Sequence, residues 1–126
     1  MDKIKIWATL KYIGTENQIK IWHSNPYIPF TITDGKDFNI GGISDCILTS
    51  TTLEKDKLYR IEYVKSGAFS EDDPNAAFWS AFYKEKELSL PKGEYTVEAG
   101  SAFSLSEEII NSKVTLRSQL KIKVTD

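Results

Sequence analysis

With 126 residues, 40% of them hydrophobic, 12% aromatic and 27% charged, the chain has the composition of one globular domain spanning residues 1–126, long enough to bury a core without covalent staples. Sixteen basic against eighteen acidic side chains leave a net charge of −2, which offers a polyanion such as nucleic acid no overall attraction. The single cysteine, Cys46, can form no internal disulfide, and no apolar run reaches the length of a membrane span.

The opening "MDKIKIW" has no hydrophobic signal region. As written the chain therefore reads as cytoplasmic, or as a secreted or envelope domain trimmed of its leader. The first segment, "DKIKIWATLKYIG", alternates Ile4, Ile6, Ala8, Leu10 and Tyr12 with Lys3, Lys5, Thr9 and Lys11, the pattern of a half-buried strand with Trp7 on its polar side. Short strands are predicted next in "QIKIWH", "YIPFTITD", "CILTSTT" and "KLYRIEYV", and later in "KELSL" and "EYTVEAG". Turn chemistry separates them: Gly14 and Asn17, Asp34-Gly35, Gly41-Gly42, and Pro91 two positions before Gly93. The last segment, "SKVTLRSQLKIKVTD", places Val114, Leu116, Leu120, Ile122 and Val124 opposite a polar face and predicts one long antiparallel strand.

One stretch breaks the period of two. In "SEDDPNAAFWSAFYKE", Phe78 and Phe82, and Trp79 and Tyr83, stand four residues apart, which predicts a short helix over about residues 74–85. Asp73 suits its N-cap and Pro74 its first position, with Lys84 and Lys86 favourable at the other end. Ala77 and Ala81 widen the apolar face, so a broad buried surface is expected.

Little in the chain points to catalysis. The one histidine, His23, is expected at a strand end or on the surface rather than as a general base. One histidine and one cysteine do not make a zinc site. Glu71, Asp72, Asp73 and Asn75 are oxygen ligands without the alternating spacing of a calcium loop, so helix capping explains them better. No enzyme activity, metal or cofactor is therefore expected. Lys113, Arg117, Lys121 and Lys123, with Lys3, Lys5 and Lys11, would form a basic face if the first and last strands lay together. Without interleaved aromatics this reads as a solvated face that discourages edge pairing. Trp7 and Trp22 share strand faces with lysines and are candidate stacking platforms for a sugar, with burial beneath the helix as the competing reading.

Strands at this spacing, with almost no helix between them, predict an all-β, immunoglobulin-like antiparallel sandwich of about seven or eight strands carrying one inserted helix. Three phrases, "NQIKIWHSNPYIPFTITDG", "TTLEKDKLYRIEY" and "LPKGEYTVEA", resemble in order the intracellular proteinase inhibitor family of bacilli, a bacterial group of small immunoglobulin-like sandwiches. The chain departs from that family in "LEKDK", where a Pro-Gly turn is usual, and in the helix-bearing insertion from Ser66 to Glu87. The resemblance implies a non-enzymatic protein-binding domain, specifically a proteinase inhibitor whose partner is a serine proteinase. The contact surface is expected at Gly67, Phe69, Glu71, Asp72 and Asp73. The alternative is a carbohydrate- or cell-envelope-binding module using Trp7 and Trp22.

Overall fold

The computed structural model describes residues 3–41, 45–65, 67, 69–108 and 112–125. In chain order these form β1 (Trp7–Lys11), β2 (Gln18–His23), β3 (Phe30–Thr33), β4 (Asn39–Gly41), β5 (Thr49–Glu54) and β6 (Leu58–Glu62). The helix α1 (Ala76–Lys84) follows, then β7 (Gly93–Gly100), β8 (Phe103–Ser104), β9 (Lys113–Val114) and β10 (Arg117–Val124). All strand pairs are antiparallel. One sheet runs β10-β7-β3-β4, a second runs β5-β2-β8-β9, and β1 pairs with β6 as a separate ribbon. The fold is all-β and sandwich-like. No helix among the described residues is long and apolar enough to cross a membrane.

The described residues form ten strands instead of the expected seven or eight, because β4 and β8 are added and the final segment splits in two, and three stretches of chain change sheets at one joint. The final segment is not a single strand: β9 lies in one sheet and β10 in the other, with Thr115 and Leu116 between them. β7 gives way to β8 across Ser101 and Ala102, and β2 gives way to β3 across residues 24–29. Hydrogen bonds stitch this joint. The N–H of Gly100 donates to Pro29 O at 3.1 Å, that of Ala102 to Tyr27 O at 2.9 Å, and that of Ser101 to Leu116 O at 3.0 Å. The Ser101 hydroxyl donates to Val114 O and accepts from the N–H of Leu116. Such backbone groups must find partners wherever a ladder breaks, and a serine with one donor and spare lone pairs satisfies both.

Alternation along each strand fills the space between the layers. Phe30, Ile32, Ile40, Tyr95 and Val97 are buried in one cluster, joined by Phe38, Phe82, Leu88 and Leu90 from the connections. Ile21, Ile28, Leu53 and Phe103 form another. Ala8 and Ile61, opposite each other in the β1–β6 ribbon, pack against both clusters, so the ribbon spans the joint from the far side. The Tyr95 hydroxyl donates to Pro91 O at 2.7 Å, pinning the turn that enters β7.

Several sequence expectations need correction. "KELSL" is not a strand: Leu88 makes one bridge to Ile4, and Leu88 and Leu90 are buried as loop residues. Asp73 and Pro74 do not begin the helix, whose N-cap is Asn75 with no side-chain hydrogen bond. Asp73 Oδ1 instead accepts from the N–H of Asn75 at 2.7 Å, and its carbonyl accepts from that of Ala76, forming a turn just ahead of α1. A short acceptor two residues before a free N–H folds such a turn as readily as it caps a helix. The broad buried face also narrows, since only Phe82 of α1 is fully buried while Phe78 is 37% exposed. Finally, β1 and β10 belong to different sheets, so the two sets of basic residues are not carried by paired strands. In the Gly41-Gly42 turn, Gly41 ends β4, and Gly42 lies outside the described residues, as does Ser66 at the start of the insertion.

Beneath the insertion, the Tyr63 hydroxyl is buried without a hydrogen-bond partner among the described residues. Burial, and secondarily its neighbour Tyr83, pushes its ionisation up to about 12. An unfolded tyrosine ionises near pH ~10, so above that pH the unfolded chain releases a proton that the folded chain keeps. Stability is therefore full below the unfolded value and falls as pH rises through the folded one. Tyr63→Phe removes the unsatisfied hydroxyl and is expected to gain about 1 kcal/mol at neutral pH while making the alkaline fall shallower. Urea titrations of both chains at neutral and alkaline pH check this; a variant less stable at neutral pH would show that the hydroxyl has a partner.

Candidate functional site

Polar and aromatic side chains converge between the β3–β4 hairpin and the insertion that carries α1. The hairpin is fixed by its own turn. Asp34 Oδ1 accepts from the N–H groups of Lys36 and Phe38 at 2.7 and 3.0 Å, and Gly35 takes φ 78°, a left-handed value that glycine adopts without penalty. Thr33 Oγ1 accepts from the N–H of Gly35, and the Asn39 amide donates to Lys36 O at 3.3 Å. This turn sends Phe38 inward, where its ring meets Trp79 at 5.4 Å, Phe82 at 5.8 Å and Tyr95 at 5.5 Å between centroids. Lys36, Asp37 and Asn39 are left on the exposed side.

The facing wall starts at a second local turn, in which Ser70 accepts from Asp72 and Asp73, and continues into α1. Helical spacing brings Trp79 and Tyr83 together, with ring planes 23° apart and centroids 5.9 Å apart, and Phe69 lies nearly parallel to Tyr83 at 6° and 6.4 Å. Burial raises the ionisation of Tyr83, so it carries a neutral hydroxyl at physiological pH. Between the walls is an open groove of about 560 Å³ lined by Lys36, Asp37 and Asn39 on one side and Phe69, Asp73, Pro74, Asn75, Trp79 and Tyr83 on the other. That volume falls within the roughly 300–1,000 Å³ range of small-ligand sites.

Of the residues singled out from sequence, Phe69 and Asp73 line this groove. Gly67 is not in the lining but packs against Tyr83: a Cβ there would stand 2.3 Å from the Tyr83 hydroxyl, so a larger residue would push the end of that side chain aside. Glu71 and Asp72 are exposed on the turn beyond the lining. Trp7 and Trp22 do not join the site. Trp7 is 50% exposed on the ribbon, where the Arg60 guanidinium lies 4.3 Å from its ring centroid and is held in turn by Glu62 at 3.0 Å. Trp22 is half-buried, with the Lys20 ammonium 5.5 Å from its ring. Sequence reasoning missed Lys36, Asp37 and Asn39. The Asp34-Gly35 signal located their turn, but nothing local shows which distant segment a hairpin tip faces.

His23 ends β2, as expected, but is 1% exposed rather than at the surface. Nδ1 is 2.8 Å from Ser24 O, so it must donate, and Nε2, 2.7 Å from Thr51 Oγ1, then accepts in the neutral ring. Both nitrogens are engaged within the fold. On the opposite side of α1, the Lys65 ammonium donates to Phe82 O and to Glu87 O at 2.9 Å and lies 4.4 Å from the Phe82 ring centroid. Desolvation lowers its ionisation. Its role is to satisfy carbonyls near the end of the helix, which have no partner within it.

No known protein family matches the chain, and no match is found among curated proteins or solved structures.

Proposed function

We propose that this chain is a non-enzymatic binding domain with immunoglobulin-like architecture, and that it recognises its ligand in the groove between the β3–β4 hairpin and α1. The observation that carries this reading is the convergence, from two separate stretches of chain, of near-parallel aromatic rings with polar groups that the fold itself does not use. Among the described residues, the side chains of Lys36, Asp37 and Asn75 have no hydrogen-bond or ion-pair partner. The immunoglobulin-like part is supported by Tyr95, near the start of β7, whose hydroxyl reaches back four residues to Pro91 O, as in the tyrosine corner of such sandwiches. The non-enzymatic part is supported by His23, whose buried ring faces Ser24 and Thr51 rather than the groove.

The resemblance to the bacillar inhibitors makes a subtilisin-type serine proteinase the first partner to test. The wild-type chain, Phe69→Ala and Asp37→Ala are titrated against the proteinase, with intactness of the chain followed in parallel. Stoichiometric inhibition weakened at least tenfold, or about 1.4 kcal/mol, by either variant would place a protein partner in the groove. Undiminished inhibition by both variants would remove the groove from the reading.

A further inference from the structure

The groove's own chemistry narrows its ligand, on the premise that it is the recognition site. From it we propose that the chain binds a neutral saccharide there. The argument is one of donors and acceptors. A cationic ligand would want acceptors only, yet the Lys36 ammonium stands on the rim. An anion would want donors only, yet the Asp37 and Asp73 carboxylates stand beside it. Donors (Lys36, the Asn75 amide) and acceptors (Asp37, Asp73, the Asn75 carbonyl) are interspersed around aromatic rings, and each sugar hydroxyl both donates and accepts. The C–H faces of a pyranose supply the apolar surface that Trp79, Tyr83 and Phe69 can cover. An amphipathic aromatic such as Tyr83 serves both needs.

Trp7 is a poorer platform despite its greater exposure. The Arg60 guanidinium occupies one face of the indole at 4.3 Å, and a sugar on that face would have to displace a cation held by Glu62. At the groove, the Asp37 and Asn75 side chains have no partner among the described residues that a ligand would have to displace.

The test is titration of the intact chain with an array of neutral glycans spanning glucans, mannans, xylans and N-acetylglucosamine oligomers, read by calorimetry and tryptophan fluorescence. Expected is saturable binding to at least one class, weakened tenfold or more by Asp37→Ala and by Asn75→Ala. Both residues are exposed and outside the core, so folding is preserved, and thermal melting of each variant verifies it. The fluorescence response should persist in the Trp7→Phe, Trp22→Phe double variant, because Trp79 reports it. Glycan binding that survives Asp37→Ala and Asn75→Ala but disappears in the Trp7, Trp22 variant would overturn the assignment by moving the sugar elsewhere. Absence of binding across the array would overturn it too. The proteinase titration then separates the two ideas: inhibition sensitive to Asp37→Ala would leave the groove as a protein-recognition site, whereas insensitivity would end both.

Discussion

Phe82→Ala is expected to destabilise the fold by about 3–5 kcal/mol, the range for emptying a buried aromatic site. The ring is 8% exposed and makes edge-on contacts with Phe38, Trp79 and Tyr83 at centroid distances of 5.8, 5.7 and 5.1 Å. It is the only fully buried residue of α1, so the nine-residue helix, too short to be stable alone, depends on it. The cavity would open beneath Trp79 and beside Phe38, which are the floor of the groove and the anchor of its hairpin wall. Urea denaturation measures the loss, and tryptophan emission should move to longer wavelength as Trp79 gains water. A cost below about 1 kcal/mol would mean that the helix is held by something else, with Lys65 as the first alternative because its ammonium bonds Phe82 O and Glu87 O. Lys65→Met then distinguishes the two anchors.

How much of this was legible in the sequence depends on whether a feature is local. The alternation in "QIKIWH" gives β2 from Gln18 to His23, and the four-residue spacing of Phe78/Phe82 and Trp79/Tyr83 gives the stacked pairs within α1, at 6.0 and 5.9 Å. Period and spacing are written residue by residue. The sheet change between β9 and β10 is not written this way. Val114 and Leu120 keep the same parity across Leu116, yet β9 pairs with β8 and β10 with β7, and only the position of Ser101 shows where the ladder breaks. Side-chain alternation tells which face a residue takes, not which sheet it belongs to.

The site divides in the same way. Phe69 and Asp73 lie in a segment whose composition departs from the rest of the chain, so the sequence points to them. The other wall depends on Phe38, which in sequence stands between two turn signals and outside every predicted strand. Its burial against Trp79, Phe82 and Tyr95 turns Asp37 and Asn39 from hairpin residues into groove residues. Tyr63 reads as a strand residue in "KLYRIEYV", and its unsatisfied hydroxyl becomes visible only once the insertion is folded over it.

Gly41→Ala is expected to cost roughly 2–4 kcal/mol, the strain of a non-glycine residue at positive φ together with a backbone collision. Gly41 has φ 110°, and an added Cβ would stand 2.0 Å from Phe30 O and 3.0 Å from Thr31 Cα. Those atoms are backbone of β3, which β7 holds on its other edge, so β4 must move instead. The register Ile40↔Ile32 and Asn39↔Thr33 would loosen with it, withdrawing 5%-exposed Ile40 from the core and shifting the hairpin wall. Gly35→Ala is the control: φ is 78° but no atom lies within 4 Å of the added Cβ, leaving only the left-handed penalty of about 1 kcal/mol. Chemical denaturation of the two variants side by side separates collision from conformational strain. Equal losses would mean that the close approach of Gly41 to Phe30 is not what holds β4 in place. If Gly41→Ala is the worse, amide exchange should show β4 opening before β3, and ligand affinity should fall in Gly41→Ala while Gly35→Ala retains it.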